Sequence, residues 1–260
     1  MVSYQAFAPE GIGSIHPGDD LGRILGDALE KEGLLPRDGD ILVLAHKIVS
    51  KAEGRIRRLS EVTPSPRAMA LARRTGKEPP LVEVILQESD EVLWAGPGLL
   101  LCRQHLGLVC ANAAVDCSNA GEQSAVLLPE DPDRSAAQLR RALEERFCCR
   151  LGVVICDTHG RPFREGAGGI VIGASGTTLL KSYIGQRDRD GRVMHSSVEA
   201  VGDELAAAAT LLMEQSGASR PAVLIRGLSL PGEDAAASTV REQARDVFLS
   251  ALQNTKGEEL

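Results

Sequence analysis

Residues Ile41-Leu42-Val43-Leu44 are apolar at every position, not at alternate ones. A strand with one wet face alternates, whereas a strand covered on both faces need not. Asp40–Ala45 is therefore predicted as a strand inside a sheet sandwiched by other elements. The runs Leu99–Cys102 and Leu151–Cys156 are also strand-sized, and no run nears the roughly 20 residues that span a bilayer. Met1-Val2-Ser3-Tyr4-Gln5 has no basic stretch leading into an apolar core, so no secretory leader is expected and the cytoplasm is the expected compartment. Aromatic residues make up only 3% of the chain. The core must then be built from Leu, Val, Ile and Ala, and the stacking platforms of a single-stranded nucleic-acid binder are missing. A net charge of −7 likewise excludes a generally basic nucleic-acid binder.

Helix periodicity predicts helices over Gly18–Gly33, Ser65–Thr75, Leu81–Glu88, Ser135–Arg150, Val198–Gln215 and Ser238–Leu252. Further strands are expected at Glu91–Ala95, Leu99–Cys102, Leu108–Ala111, Leu151–Cys156 and Ala222–Arg226. Glycines 166, 168, 169, 173 and 176 suggest close backbone approach in place of a plain strand. Elements interleave unevenly, which favours an α+β fold of mixed sheets with flanking helices over a regular doubly wound one. Six cysteines form no Cys-x-x-Cys pair, so a structural zinc site is not expected and reduced, buried thiols are.

Four segments can carry chemistry. Asn112–Asn119 follows an apolar run, and Asp116 there can hold a hard divalent cation; a polar turn capped by its own Asp, Ser and Asn side chains is the alternative. Cys156–Gly166 places Asp157 and Thr158 after a buried strand, with Arg161 and Arg164 suited to phosphate or carboxylate; a surface turn with an Arg164–Glu165 pair is the alternative. His159 in that stretch reads as a solvated loop histidine. His46-Lys47-Ile-Val-Ser50-Lys51 can neutralise phosphate, or be a solvated helix start. Gln215 offers a neutral oxygen, and Ser216-Gly217 a loop, at a helix end. A P-loop and a Gly-x-Gly-x-x-Gly turn are both absent, and no Ser/His/Asp or Cys/His arrangement stands out. Carboxylates, lysines and glycine loops together suit a divalent metal with a phosphate-bearing substrate.

At these segments the chain resembles the coenzyme F420-0:L-glutamate ligases. The resemblance runs from about Gly11 to Gly227 and rests on Gly18-Asp19-Asp20-Leu21, Ile48-Val-Ser-Lys-Ala-Glu-Gly54, Asn112–Asn119 and Asp157-Thr-x-Gly-Arg-Pro-Phe-Arg-x-Gly166, in that order. It implies addition of L-glutamate to the coenzyme F420-0 precursor at the expense of GTP, with Mn²⁺ or Mg²⁺ and a monovalent cation such as K⁺. It implies metal binding by Asp116, Asp157, Thr158 and Gln215, with Asp116, Asp157 and Lys51 carrying catalysis. GTP contacts would come from Ile12, Gly13, Ser14, Ile15, His46, Lys47, Lys51 and Asn119. The loop Met213, Glu214, Gln215, Ser216, Gly217, Ala218, Ser219, Arg220 would complete the nucleotide site. The implied fold is a two-lobed α+β unit over residues 1–252, in an intertwined homodimer, with a tail over 253–260 and no nucleic-acid or membrane partner. Three positions depart from the family pattern: Phe163 stands where tryptophan is common, Glu214 replaces a usual glycine, and His46 occupies a variable position. A metal-dependent phosphohydrolase and a nucleotide-binding regulator without chemistry are the competing readings.

Overall fold

A computed structural model describes residues 1–214, 217 and 219–255. In chain order the elements are β1 (Gln5–Phe7), α1 (Leu21–Lys31), β2 (Ile41–Ala45), α2 (His46–Ala52), β3 (Ile56–Arg58), α3 (Pro66–Thr75) and α4 (Pro79–Gln87). There follow β4 (Ser89–Gly96), β5 (Leu99–Gln104), β6 (Val109–Ala111), β7 (Ser124–Val126), α5 (Pro132–Phe147), β8 (Gly152–Arg161) and β9 (Arg164–Ser175). The chain closes with β10 (Lys181–Ser182), β11 (Val198–Glu199), α6 (Val201–Met213), β12 (Ala222–Arg226) and α7 (Val247–Thr255). Two compact units result: residues 1–56 with 126–236, and residues 57–125 with 237–260.

The first unit is built on a five-stranded mixed sheet ordered β1-β12-β2-β8-β9. Only β2 and β8 run parallel; the other neighbours are antiparallel. Ile41, Val43, Val154, Cys156, Val223 and Ile225 pack with Leu205, Ala206, Ala209 and Met213 of α6. Their strand neighbours Leu42, Leu44, Val153, Ile155 and Leu224 are equally buried, and the two-residue period directs them to the opposite face. That double cover is why β2 shows no alternation. A bulge in β9 opposite Ile155 and Cys156 shifts the register by one residue. It turns Gly169 toward α6, where a Cβ would meet the Ala206 carbonyl at 2.6 Å, and Gly173 toward α5, where it would meet Pro132 at 2.5 Å. The glycine stretch is thus a full twelve-residue strand, and it also has the close approaches its glycines suggest.

Helix starts follow side-chain capping. Asp20 accepts from the Arg23 N–H at 2.9 Å, Ser65 from Ala68 at 3.2 Å and Asp131 from Arg134 at 2.9 Å. The Asp131 cap, with Pro132 in the first turn, starts α5 three residues before the predicted Ser135. The predicted helix over Ser238–Leu252 is instead two single 3-10 turns, Ala236–Thr239 and Gln243–Arg245, followed by α7. The second unit carries the antiparallel sheet β4-β5-β6 with α3 and α4. Its core joins Ala68, Ala72, Val82, Ile85, Ala95, Leu100, Cys102 and Ala113. All six cysteines are free thiols, but Cys117 and Cys148 are exposed and Cys149 is half-buried, so only Cys102, Cys110 and Cys156 meet the expectation of burial. Among the described residues no helix is long and apolar enough to cross a membrane.

Candidate active site

The parallel register builds the site in the first unit. Ala45 lies opposite Cys156, so the residues that follow, His46 and Asp157, stand side by side at the carboxyl end of β2. Ligand groups collect at such ends in α/β sheets. The two chains then diverge. After Ala45 the backbone coils at once into α2, which carries His46, Lys47, Ser50 and Lys51. After Cys156 it stays extended, so Asp157 lies in mid-strand and not at the strand end its apolar run predicts. The hairpin turns only at Pro162-Phe163, where Arg161 faces Arg164.

Asp157 is mostly buried and held on both oxygens. Oδ1 accepts from the Thr158 N–H at 2.7 Å and Oδ2 lies 2.9 Å from His159 Nε2. His46 Nε2 stands 3.3 Å from Oδ1 but is not aligned to form a good hydrogen bond. On its other side His46 Nδ1 lies 3.2 Å from the buried Ser50 hydroxyl. Burial alone would push the Asp157 carboxyl up, but the His159 hydrogen bond and the closeness of both His46 and His159 outweigh it and hold the group far below the usual carboxylate range. Asp157 is therefore a buried anion at neutral pH. Cys156, next to it, is pushed up to about 12 by burial and by that anion, which removes it as a nucleophile. Asp203, in the first turn of α6, accepts from the Val171 N–H at 2.9 Å; burial raises its carboxyl while that bond and His159 lower it.

Lys51 is half-buried, and its ammonium is pushed down by burial and then by Lys47 one turn before it. Gly18 N–H bonds the Ala52 carbonyl at 2.8 Å, which ties the segment after Ile12–Ile15 to the end of α2. Within that segment Ile12 and Ile15 are core side chains, and Gly13 and Ser14 are exposed. His46 is buried at 2% exposure, which corrects the solvated helix start for that residue.

Asp116 and Asn119 belong to the second unit. Asp116 Oδ1 accepts from the Ser118 N–H at 2.6 Å, the self-capped turn that its sequence also allowed. At the end of α6, Met213 is buried and Glu214 adopts φ 58° and ψ 167°, a conformation usually left to glycine. Glu214 pairs with Arg220, and the Ser219 hydroxyl faces the Gly217 carbonyl at 3.4 Å. Gln215, Ser216 and Ala218 lie outside the described residues.

His159 and Asp203 were not singled out from sequence. His159 is not a solvated loop residue: its side chain is 12% exposed and sits on a strand. The available signal was the two-residue period, which puts residues 157 and 159 on one face once the strand is known to continue. Asp203 has no comparable signature, because only the close seat of α6 on Gly169 brings it to β9. Among the described residues, no three His, Cys, Asp or Glu side chains converge as a ready-made metal shell.

The sequence model of the F420-0:Gamma-glutamyl ligase family matches residues 11–227. The chain is 46% identical over 239 residues to the Coenzyme F420:L-glutamate ligase of Methanopyrus kandleri, covering 90% of this chain and 93% of that one. It is 44% identical over 248 residues to the enzyme of the same name from Archaeoglobus fulgidus (95% and 97%), and 38% identical over 260 residues to that of Methanosarcina mazei (98% and 100%).

Proposed function

The chain belongs to the F420-0:gamma-glutamyl ligase family, and from that premise we propose that it joins L-glutamate to the coenzyme F420-0 precursor using GTP, through an acyl phosphate. One observation supports the phosphate-handling part above all. A buried carboxylate held as an anion, Asp157, emerges beside a helix whose next turns carry Lys47 and Lys51.

A divalent ion such as Mn²⁺ or Mg²⁺ suits this donor chemistry. Asp157 and Thr158 are hard oxygen donors, and Mg²⁺ is commonly held by one or two carboxylates with substrate phosphates and water completing the shell. Asp157 and Thr158 would hold the ion; the family pattern adds Asp116 and Gln215 as ligands, with K⁺ as a monovalent ion to test. When bound, the divalent ion supplies positive charge to phosphate oxygens.

A carboxylate acylates amines poorly because its leaving group would be oxide. Transfer of the γ-phosphoryl group of GTP to the precursor carboxylate forms an O–P bond and releases GDP. The glutamate amine then attacks the acyl carbon, an amide bond forms, and inorganic phosphate leaves. Lys47 and Lys51 bind and orient the phosphates as point charges. His46 and His159 hold Asp157 in place as an anion. Ile12–Ile15 contribute through main chain and the Ser14 hydroxyl, since both isoleucine side chains are committed to the core.

Mass spectrometry of the precursor incubated with GTP, Mn²⁺ and L-glutamate tests the reading. A product heavier by one or more glutamyl residues, formed with GDP and phosphate, supports it; GTP hydrolysis that ignores glutamate points to a phosphohydrolase. We also propose a homodimer, for which light scattering should give about twice the 27.6 kDa chain mass; a stable, active monomer removes that claim alone.

A further inference from the structure

The chain passes from β6 into the Asp116 loop through three consecutive residues in the left-handed region: Asn112 at φ 54°, Ala113 at φ 52° and Ala114 at φ 56°. L-residues enter this region at a cost and usually singly, with asparagine the best tolerated after glycine. Two alanines have neither glycine's freedom nor a side chain that bonds locally. Asn119 at φ 56° and Gln123 at φ 50° follow in the same loop, so left-handed non-glycine backbone concentrates around Asp116.

The surroundings impose this turn. Asn112 Oδ1 accepts from the Leu100 N–H on β5 at 3.1 Å. The Val115 N–H closes the turn on the Asn112 carbonyl at 3.0 Å. Ala113, 1% exposed, is locked in the core of the second unit with Ala72, Ile85, Leu100 and Cys102. Only Val115 then separates the turn from Asp116. Strain that a fold over-determines is often strain that serves a site.

We propose that Asn112 is a positioning residue acting through Asp116: the left-handed turn it opens fixes the direction in which the Asp116 carboxylate is presented to a divalent cation. This deepens the metal role given to Asp116 above and rests on it. Without the Leu100 bond the strained alanines would relax toward right-handed backbone, and the carboxylate would spend less time where it ligates.

Four variants of the full chain test this, with Mn²⁺ binding in the presence of GTP read from loss of the free-ion electron paramagnetic resonance signal, beside thermal melting and steady-state kinetics. Asn112→Leu loses the Leu100 bond and should weaken Mn²⁺ binding about tenfold, with the KM for glutamate unchanged. Asn112→Asp, which can still accept that bond and tolerates positive φ, should recover most of it. Ala114→Gly leaves the Asn112 contacts intact and enters the left-handed region without cost, so it should melt no lower than the native chain and bind Mn²⁺ as well. A structural role alone would make Mn²⁺ affinity follow melting temperature. Native Mn²⁺ affinity in Asn112→Leu, or an affinity loss matched by lost stability across the series, overturns the proposal; if Asn112→Leu does not fold, Asn112→Ala is read in its place. Asp116→Asn separates the two levels. If it binds Mn²⁺ normally, the role of Asp116 itself falls; if it is impaired while Asn112→Leu is not, only the positioning claim falls.

Discussion

His159 Nε2 lies 2.9 Å from Asp157 Oδ2, two residues along the same strand. The strand period puts both side chains on one face, and the parallel neighbour β2 delivers His46 to the other oxygen. The carboxylate can therefore be buried and still ionised. Asp157→Asn keeps the shape and the oxygen that accepts from Thr158 but removes the charge. The variant should keep the native circular dichroism spectrum, while turnover at saturating GTP drops by about 100-fold or more, the scale of losing a principal electrostatic group. Near-normal turnover at limiting Mn²⁺ would take Asp157 out of the site.

A histidine of the second unit provides a pH test of its own. His105 Nδ1 lies 2.7 Å from Asp90 Oδ1, and Nε2 lies 2.7 Å from the Gln87 carbonyl. Both neighbours are acceptors, so the doubly protonated ring satisfies both. The Gln87 carbonyl first, then Asp90, with Glu88 adding charge, raise the His105 pKa above its usual 6.5. A group raised on folding stabilises fully below its unfolded pKa, and that contribution fades as pH climbs through the folded value. The side chains are about half exposed, so the effect should stay under about 1 kcal/mol. Urea unfolding at pH 6 and pH 9 should show the native chain losing this increment and His105→Ala not. Identical pH dependence in both proteins would discount the clip.

Local pattern made much of this molecule legible. Unbroken apolarity announced β2 and its double cover, and the capped, periodic stretches announced α1, α3 and α5. Residues whose meaning depends on a partner strand were harder. Nothing local says that β8 continues through Asp157 to Arg161, because residues 157–161 draw their pairing from Ile170 back to Arg164. His159 therefore looked like loop. The left-handed turn at Asn112–Ala114 was equally hidden, since Ala113 and Ala114 carry no turn signal and are held there by β5 and the core. Family resemblance pointed to Asp157, Thr158 and His46 but not to His159 or Asp203, and only the register connects Asp157 with His46.

Gly169 offers a prediction about how the site is backed. A Cβ there would meet the Ala206 carbonyl carbon and oxygen at 2.6 Å, both main-chain atoms of α6 that cannot rotate away. Gly169→Ala should lower stability by about 1–3 kcal/mol, as overpacking does. It should also lower activity, because Gly169 pairs with Thr158 beside Asp157. Gly160→Ala, on the neighbouring strand with nothing within 4 Å, should change stability by less than about 0.5 kcal/mol. Equal melting temperatures for the two variants would mean that α6 yields, and that the close seat on β9 does not hold the site in shape.

Lys51 carries the prediction about the nucleotide. Its ammonium is pushed down by burial and by Lys47 four residues before it on α2, a spacing at which like charges repel. An anion placed against both lysines removes the repulsion and favours the charged form of Lys51, so phosphate binding and Lys51 protonation should reinforce each other. Without a P-loop, the triphosphate depends on such point charges and on the divalent cation. Lys51→Ala should therefore raise the KM for GTP about tenfold, roughly 1.4 kcal/mol, with the KM for glutamate little changed. Lys51→Arg should recover part of the loss, because charge is kept while the compact ammonium is not. By calorimetry, GTP should bind the native chain with Mn²⁺ and much more weakly with chelator, since a bare triphosphate would face the buried Asp157 anion. A Lys51→Ala variant that changes only glutamate use, or GTP that binds equally well in chelator, would show that the phosphates rest elsewhere than on α2.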